Sequence, residues 1–449
     1  MSSRVLKWGP AAVLFAITLV FSLLFYYRAP FHDHWDIVSY FGPLKDGTLS
    51  FSDLFGLHGN HWHASGYVVQ LGLGEMTAMG HWAESLASVV IAGLGFIALA
   101  RILERGLNQF EAERMTAFAF AVAAFFLFSL DQAANWLWGW QVAVFINVTG
   151  ALWAIERLTC GPPRPINTAI AAFAAALSVY AFGTGWALIP IGFTLLLLHG
   201  AWKSREGLGS LAVWTVFTGL LLWHFTLALT DSSAAYTVDS TPDFADPEAL
   251  LGLIHYAINF VASPVVRFAR DSSVLAFFIG AGLIIWSLWT LRSVAKDDWL
   301  KRVSAFLALA AYSMGAGLLT AIGRWEGFGV KHAFVSRYIS FGTFFWIAVF
   351  TLTLIAIARS SNASRKVAVG ALGLFFVLKI GNIPSVVQKT VGLSNDIEAA
   401  ATVLAKDYPD VEPSDYSILI HPGQEVESRL QVLQQHRVSL FADSPDEDE

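Results

Sequence analysis

The sequence predicts an all-α protein: a polytopic membrane helical bundle of about eleven transmembrane helices. Three observations lead there. Of 449 residues, 55% are hydrophobic and 14% charged, against about 25% charged in a soluble domain. The apolar residues come in long runs, and mean hydropathy is +0.56. The polar residues gather in a few stretches between those runs. This composition excludes a disordered chain, a collagen-like chain and a disulfide-stapled secreted domain. A single cysteine, Cys160, leaves no internal disulfide.

A span needs about 20 mostly apolar residues, because the hydrocarbon core is about 30 Å thick. Runs that meet or approach this are 9–27, 83–101, 115–130, 141–155, 167–181, 184–200, 209–229, 273–291, 303–322, 338–358 and 367–383. The first run follows Arg4 and Lys7, and no small-residue cleavage site precedes Arg28, so a retained anchor is expected. Residues 66–80 are apolar but hold Glu75 and four glycines, which suits a re-entrant or interfacial segment. Basic residues near span ends set orientation. Alternate connections carry 16 of them on one side and 7 on the other. The N-terminus is therefore expected in the cytoplasm. The loops 28–65, 230–272 and 323–337 and the C-terminal tail are expected on the outer, periplasmic or extracellular face.

The chain divides into a transmembrane domain, 1–383, and a tail, 384–449. The tail holds Pro384, Pro409, Pro413 and Pro422 as breakers and two helical patterns, near 395–406 and 425–437. Its last residues read as disordered. Net charge is −6, and from Pro384 onward 13 acidic residues face 4 basic ones. The remainder carries no basic patch of the kind that binds nucleic acid. No phosphate-cradling glycine loop and no dinucleotide fingerprint occur, so no nucleotide cofactor is expected.

Polar chemistry concentrates in the first outer loop. It reads Phe31-His32-Asp33-His34-Trp35-Asp36, then His58-Gly59-Asn60-His61-Trp62-His63. Asp33 and Asp36, three residues apart, share a face if the loop is helical. Such carboxylates can accept a proton or ligate a divalent cation. His61 could join Asp33 and Asp36 as a metal ligand, and His63 could add a nitrogen beside it. A second cluster holds Arg324, Lys331, Arg337 and Tyr338 beside apolar runs. A guanidinium at membrane depth needs a partner, and its planar fork fits phosphate oxygens. A third segment, Asn135-Trp136-Leu137-Trp138-Gly139-Trp140-Gln141, offers indole faces for a sugar ring, with Gln141 just inside the membrane. The plainer readings are solvated loop charges, snorkelling arginines and an interfacial tryptophan belt. His224 and Lys379, inside apolar runs, read as packing or snorkelling residues.

These motifs together resemble the GT-C superfamily of integral-membrane glycosyltransferases, in particular its poorly characterised bacterial members. The residues that carry the resemblance are Asp33-His34-Trp35-Asp36 after the first span, His58-Gly59-Asn60-His61-Trp62-His63 and Trp138-Gly139-Trp140-Gln141. Further along they are Ser336-Arg337-Tyr338 at a late span and Gln435-His436-Arg437-Val438-Ser439-Leu440-Phe441 in the tail. The resemblance implies an enzyme of the bacterial inner membrane that serves cell-envelope polysaccharide biosynthesis. It would move a sugar from a polyprenyl-phosphate carrier to a glycan or lipid acceptor on the outer face. Asp33 or Asp36 would be catalytic. Arg324, Arg337, Tyr338, Lys331, Trp138, Gln141, His61 and His63 would bind substrate. Mg²⁺ or Mn²⁺ would be an optional cofactor. Two other classes fit the span pattern: a transporter or flippase of lipid-linked saccharide, and a non-catalytic envelope-assembly scaffold. A transporter should break a helix near the bilayer midplane, and Gly183-Thr184-Gly185 is the candidate break.

Overall fold

A computed structural model describes residues 3–230, 242–294, 299–359 and 362–442. It is 84% helical, with a single two-stranded ladder among the described residues.

The first helix, α1 (Ser3–Phe25), leads through a 3₁₀ turn at His32–His34 into α2 (Trp35–Lys45). A second 3₁₀ turn, Phe51–Phe55, is opened by a reciprocal cap between Ser50 and Asp53. The hairpin of β1 (Leu57–His58) and β2 (His61–Trp62) follows, with His58 opposite His61. Gly59 turns it at φ 62°, a conformation glycine adopts without Cβ strain. The segment expected to re-enter the membrane, 66–80, is largely the helix α3 (Ala64–Thr77).

Next come α4 (His81–Gln109), α5 (Thr116–Leu127), the short α6 (Ala133–Leu137), α7 (Val142–Thr159) and α8 (Pro165–Ala181). The chain breaks at Gly183–Ala187 and resumes as α9 (Leu188–Leu198) and α10 (Arg205–Thr230). After these lie α11 (Pro247–Val266), α12 (Ser273–Val294), α13 (Trp299–Phe328), α14 (Ser336–Arg359) and α15 (Asn362–Gly381). The tail consists of α16 (Ile383–Asp407), a 3₁₀ stretch at Pro413–Leu419 and α17 (Glu427–Gln435).

Among the described residues, eight helices are long and apolar enough to cross a membrane. Seven coincide with expected spans. The eighth is α11, and it corrects the expected open loop 230–272: the second half of that stretch is a 20-residue apolar helix. Asp246 caps it by accepting from the amides of Glu248 and Ala249, and Pro247 starts it. Near its start, Gly252 lies against the Trp325 ring close to the end of α13. At its far end Arg267 donates to Ser336 Oγ, the first residue of α14. Only a short connection separates those ends of α13 and α14, so both ends of α11 meet the same side of the bundle. The expected spans 167–181, 184–200 and 273–291 are shorter apolar helices. The last expected span, 367–383, falls in α15.

Burial differs sharply along the bundle. Of the apolar window of α14, 94% is buried, whereas α10 buries 11% and exposes Val216, Leu220, Trp223 and Leu227. A helix apolar all round belongs in a core or against lipid. Helices α7 and α8 meet closely at Gly150, where an added Cβ would fall 2.4 Å from the Ala174 carbonyl oxygen. Two polar groups expected inside apolar runs find partners. Lys379, read from sequence as a packing or snorkelling residue, is wholly buried against Asp131, whose backbone carbonyl also accepts from Arg267. His224 is bonded to the Tyr180 hydroxyl at 2.7 Å.

The tail is part of this body. Helix α16 starts twelve residues before the first expected helical pattern in the tail, and Ile397, Leu404, Leu419, Leu430, Leu433 and Phe441 are buried in the common core. Residues 443–449, where disorder was expected, lie outside the described residues.

Candidate functional site

The site begins with backbone geometry after α1. His32 sits at φ 51°, uncommon for a residue with a Cβ. Its ring stacks on Phe31, centroids 3.9 Å apart, and lies 4.0 Å from the His421 ring. The following 3₁₀ turn sends Asp33 and His34 to different partners. Asp33 Oδ1 lies 3.0 Å from Nε2 of His421 in the tail. His34 points inward to Glu84. One turn later, Asp36 pairs with Arg429 of α17 at 3.0 Å and with His58 at 3.5 Å. Trp35 is buried between them and donates its indole N–H to the Leu419 carbonyl at 3.0 Å. Both candidate carboxylates are thus held by the tail, some 390 residues away in sequence.

Their surroundings set the two carboxylates apart. Burial alone would raise both. At Asp33 it is outweighed by the hydrogen bond to His421 and by the charges of His58, Arg337 and His421, and the carboxyl is held well below the usual range. At Asp36 burial prevails over His58 and Arg429, with the Asp33 charge adding to it, and its carboxyl is raised.

The histidine hairpin closes the next wall. His63 is buried and stacks on Trp140, centroids 3.9 Å apart and planes 9° from parallel. His58 lies 5.2 Å from the same indole. His61 contacts Phe182 at 4.7 Å, and Phe182 stacks on Phe341 of α14 at 5.6 Å. Burial, with the charges of His58, Arg324 and Arg337, lowers His61 to about 3, so its imidazole is neutral at physiological pH. His332, on the 3₁₀ turn between α13 and α14, is lowered to about 3 by burial and by Arg337 and Arg324.

Asp33, His61, Arg324 and Arg337 share one electrostatic neighbourhood. Arg337 lies over the Tyr338 ring at 5.6 Å, and Tyr338 is buried against Phe260 at 5.1 Å. Trp138 meets Phe31 edge to face at 5.4 Å. Asn135 fixes the tryptophan segment to α14 through Ser336 and Ser340, both at 2.9 Å. Gln141 is buried at the start of α7. Lys331 is exposed and makes no hydrogen bond or ion pair among the described residues. Buried polar atoms here without a hydrogen-bond partner among the described residues include His61 Nε2, both ring nitrogens of His63, Trp138 Nε1 and Arg337 Nε. Buried polar groups are normally paired, so these atoms are exceptions that a bound polar group or water would satisfy. The surface clefts of about 300 and about 420 Å³ lie elsewhere, beside Trp8 and Phe15 and beside Arg105 and Arg302.

The metal set expected from sequence, Asp33, Asp36 and His61, does not converge. The two carboxylates turn to separate partners, the His421 imidazole and the Arg429 guanidinium. Among the described residues the donors that do converge are His34, His81 and Glu84. The His81-x-x-Glu84 spacing was a readable signal for two of them. Nothing local in the sequence pointed to His421 or Arg429. No family model matches the chain, and no curated protein matches it.

Proposed function

We propose that the chain is a membrane glycosyltransferase that takes a sugar from a polyprenyl-phosphate carrier and passes it to an envelope glycan or lipid acceptor. The observation that supports this reading is the meeting of Asp33, His61, Trp138 and Arg337, from four separate parts of the chain, around buried unpartnered donors. An anion is the natural partner of Arg337, and a lipid phosphate satisfies it at membrane depth. Indole faces beside it suit a sugar ring. By the positive-inside argument this end of the bundle faces outward.

In the reaction, an acceptor hydroxyl oxygen attacks the anomeric carbon. The bond from that carbon to the phosphate oxygen breaks, and its electron pair leaves with the phosphate. Arg337, with Arg324 nearby, stabilises the growing negative charge. The hydroxyl proton goes to the Asp33–His421 pair. A carboxylate held well below its usual range is a poor proton acceptor, so Asp33 orients the imidazole and His421 Nδ1 takes the proton. Asp36 anchors the tail through Arg429. No step passes through a cation at Asp33 and Asp36, because their carboxylates diverge.

The test is turnover of polyprenyl-phosphate sugar in membranes carrying the wild-type or the Asp33→Asn chain. Equal turnover by Asp33→Asn and Asp36→Asn proteins would remove this loop as the catalytic centre and leave transport as the better reading. One observation favours transport: the break at Gly183–Ala187 carries a buried polar network, with Thr184 and Tyr312 both bonded to Asn147.

A further inference from the structure

We propose that His34, His81 and Glu84 form a structural zinc site that clasps the first loop, the start of α4 and the tail together. His81 and Glu84 are three apart in the first turn of α4, so they share a face. The i, i+3 pairing of a histidine with a glutamate is a recurrent metal-binding arrangement on helices. His34 approaches from the 3₁₀ turn before α2. Its Nε2 lies 3.1 Å from Glu84 Oε1, and His81 Nδ1 lies 3.3 Å from Glu84 Oε2. All three ligand atoms fall within 4.8 Å of one another. A tetrahedral ion with bonds of about 2.0–2.1 Å needs donors roughly 3.3 Å apart. Small ring movements reach that geometry.

Two further observations separate this cluster from ordinary packing. The side chains are 1%, 3% and 7% exposed, and among the described residues Glu84 has two imidazoles as its ion-pair partners and no lysine or arginine. A buried carboxylate needs a cation. A metal ion supplies it and uses all three donors at once. The cradle is also tightly fitted. A Cβ on Gly139 would fall 1.9 Å from Glu84 Oε2, so only glycine lets the tryptophan segment close over the carboxylate.

The far nitrogen of His81 is held as well. Nε2 lies 2.9 Å from Ser439 Oγ. With Nδ1 on the metal, Nε2–H donates to that hydroxyl, which fixes tautomer and ring orientation. Ser439 is itself held at φ 56°, and its amide donates to the Ala78 carbonyl at 2.9 Å. Two imidazoles and one carboxylate favour zinc over magnesium or calcium, which take oxygen donors. Three protein donors leave the fourth tetrahedral position to a water, and it is the enclosure that gives the site its structural role. This inference stands apart from the glycosyl-transfer reading.

The experiment uses full-length chain purified without chelator and then dialysed against Zn²⁺ or Co²⁺. Wild type should retain one metal per chain, and its Co²⁺ form should show the visible bands of a tetrahedral site. Glu84→Gln and His81→Ala should retain less than about a tenth of that. Ser439→Ala should weaken affinity about tenfold or more. His199→Ala, at a histidine outside the cluster, should retain full metal. A chelator should lower the melting temperature of wild type but not of Glu84→Gln. Uptake of neither ion by wild type overturns the proposal, as does full retention by Glu84→Gln and His81→Ala. If those variants fail to fold, the Co²⁺ spectrum of wild type decides alone, and absent bands overturn it.

Discussion

Asp33 and His34 are neighbours in sequence and belong to different worlds. Asp33 is partly exposed, faces His421 and lies in the field of Arg337. His34 is 1% exposed and faces a glutamate on the opposite side of the turn. A 3₁₀ turn advances about 120° per residue, so consecutive side chains point in well-separated directions. One short loop can therefore feed a ligand-facing cluster and a closed structural one. The first has unpartnered buried donors. The second is closed over by Gly139 and Ser439. The two clusters differ in whether their buried polar atoms find partners within the chain.

The sharpest way to separate the two clusters is Asp33→Asn. Sugar transfer should fall by at least ~10²-fold, the scale of lost general acid–base catalysis, while bound metal stays at wild-type level. Loss of both together would mean that the clusters act as one. Arg337→Lys should lower transfer by about 10- to 100-fold, because a point charge cannot reproduce a bidentate clamp on phosphate. Short-chain acceptors should be affected as much as long ones, since the defect lies at the leaving group.

The tail gives a stability test. Leu433→Ala, at a wholly buried position of α17, should cost about 2–5 kcal/mol in denaturant unfolding. Arg429→Ala should cost less, about 1–2 kcal/mol, because its partner Asp36 is only half-buried. Either change should release His421 from Asp33, so transfer should drop along with stability. Retained transfer in a chain lacking the tail's hold would break the dyad.

The smallest expected effect concerns pH. Asp33 has a folded carboxyl held below its unfolded value of about 3.9. Its stabilising contribution is then fully present above that unfolded value and lost as pH falls through the folded one. The stability gap between wild type and Asp33→Asn should shrink as pH falls below about 4, towards the folded value. His61 and His332, lowered to about 3, stay neutral between pH 5 and 8, so they add no acid limb to activity there. A gap that grows as pH falls through about 4 would show that Asp33 is not held low.

The sequence by itself determined what depends on local pattern. Run length and composition gave a helical membrane bundle, because a backbone in hydrocarbon must satisfy its hydrogen bonds within each segment. Clustering of Asp, His, Trp and Arg singled out the residues on which the proposed site rests. α11 escaped because Asn259 and His255 interrupt its apolar face and a run of polar residues precedes it. Tertiary structure decided which donor meets which. His421 reaches Asp33 across 388 residues and Arg429 reaches Asp36, pairings that no spacing rule encodes. It also brought His34, His81 and Glu84, rather than the two aspartates, close enough to hold an ion among the described residues. The reason is directional. Sequence fixes how many carboxylates a loop carries, but the turn geometry and the helices packed behind it fix where each one points.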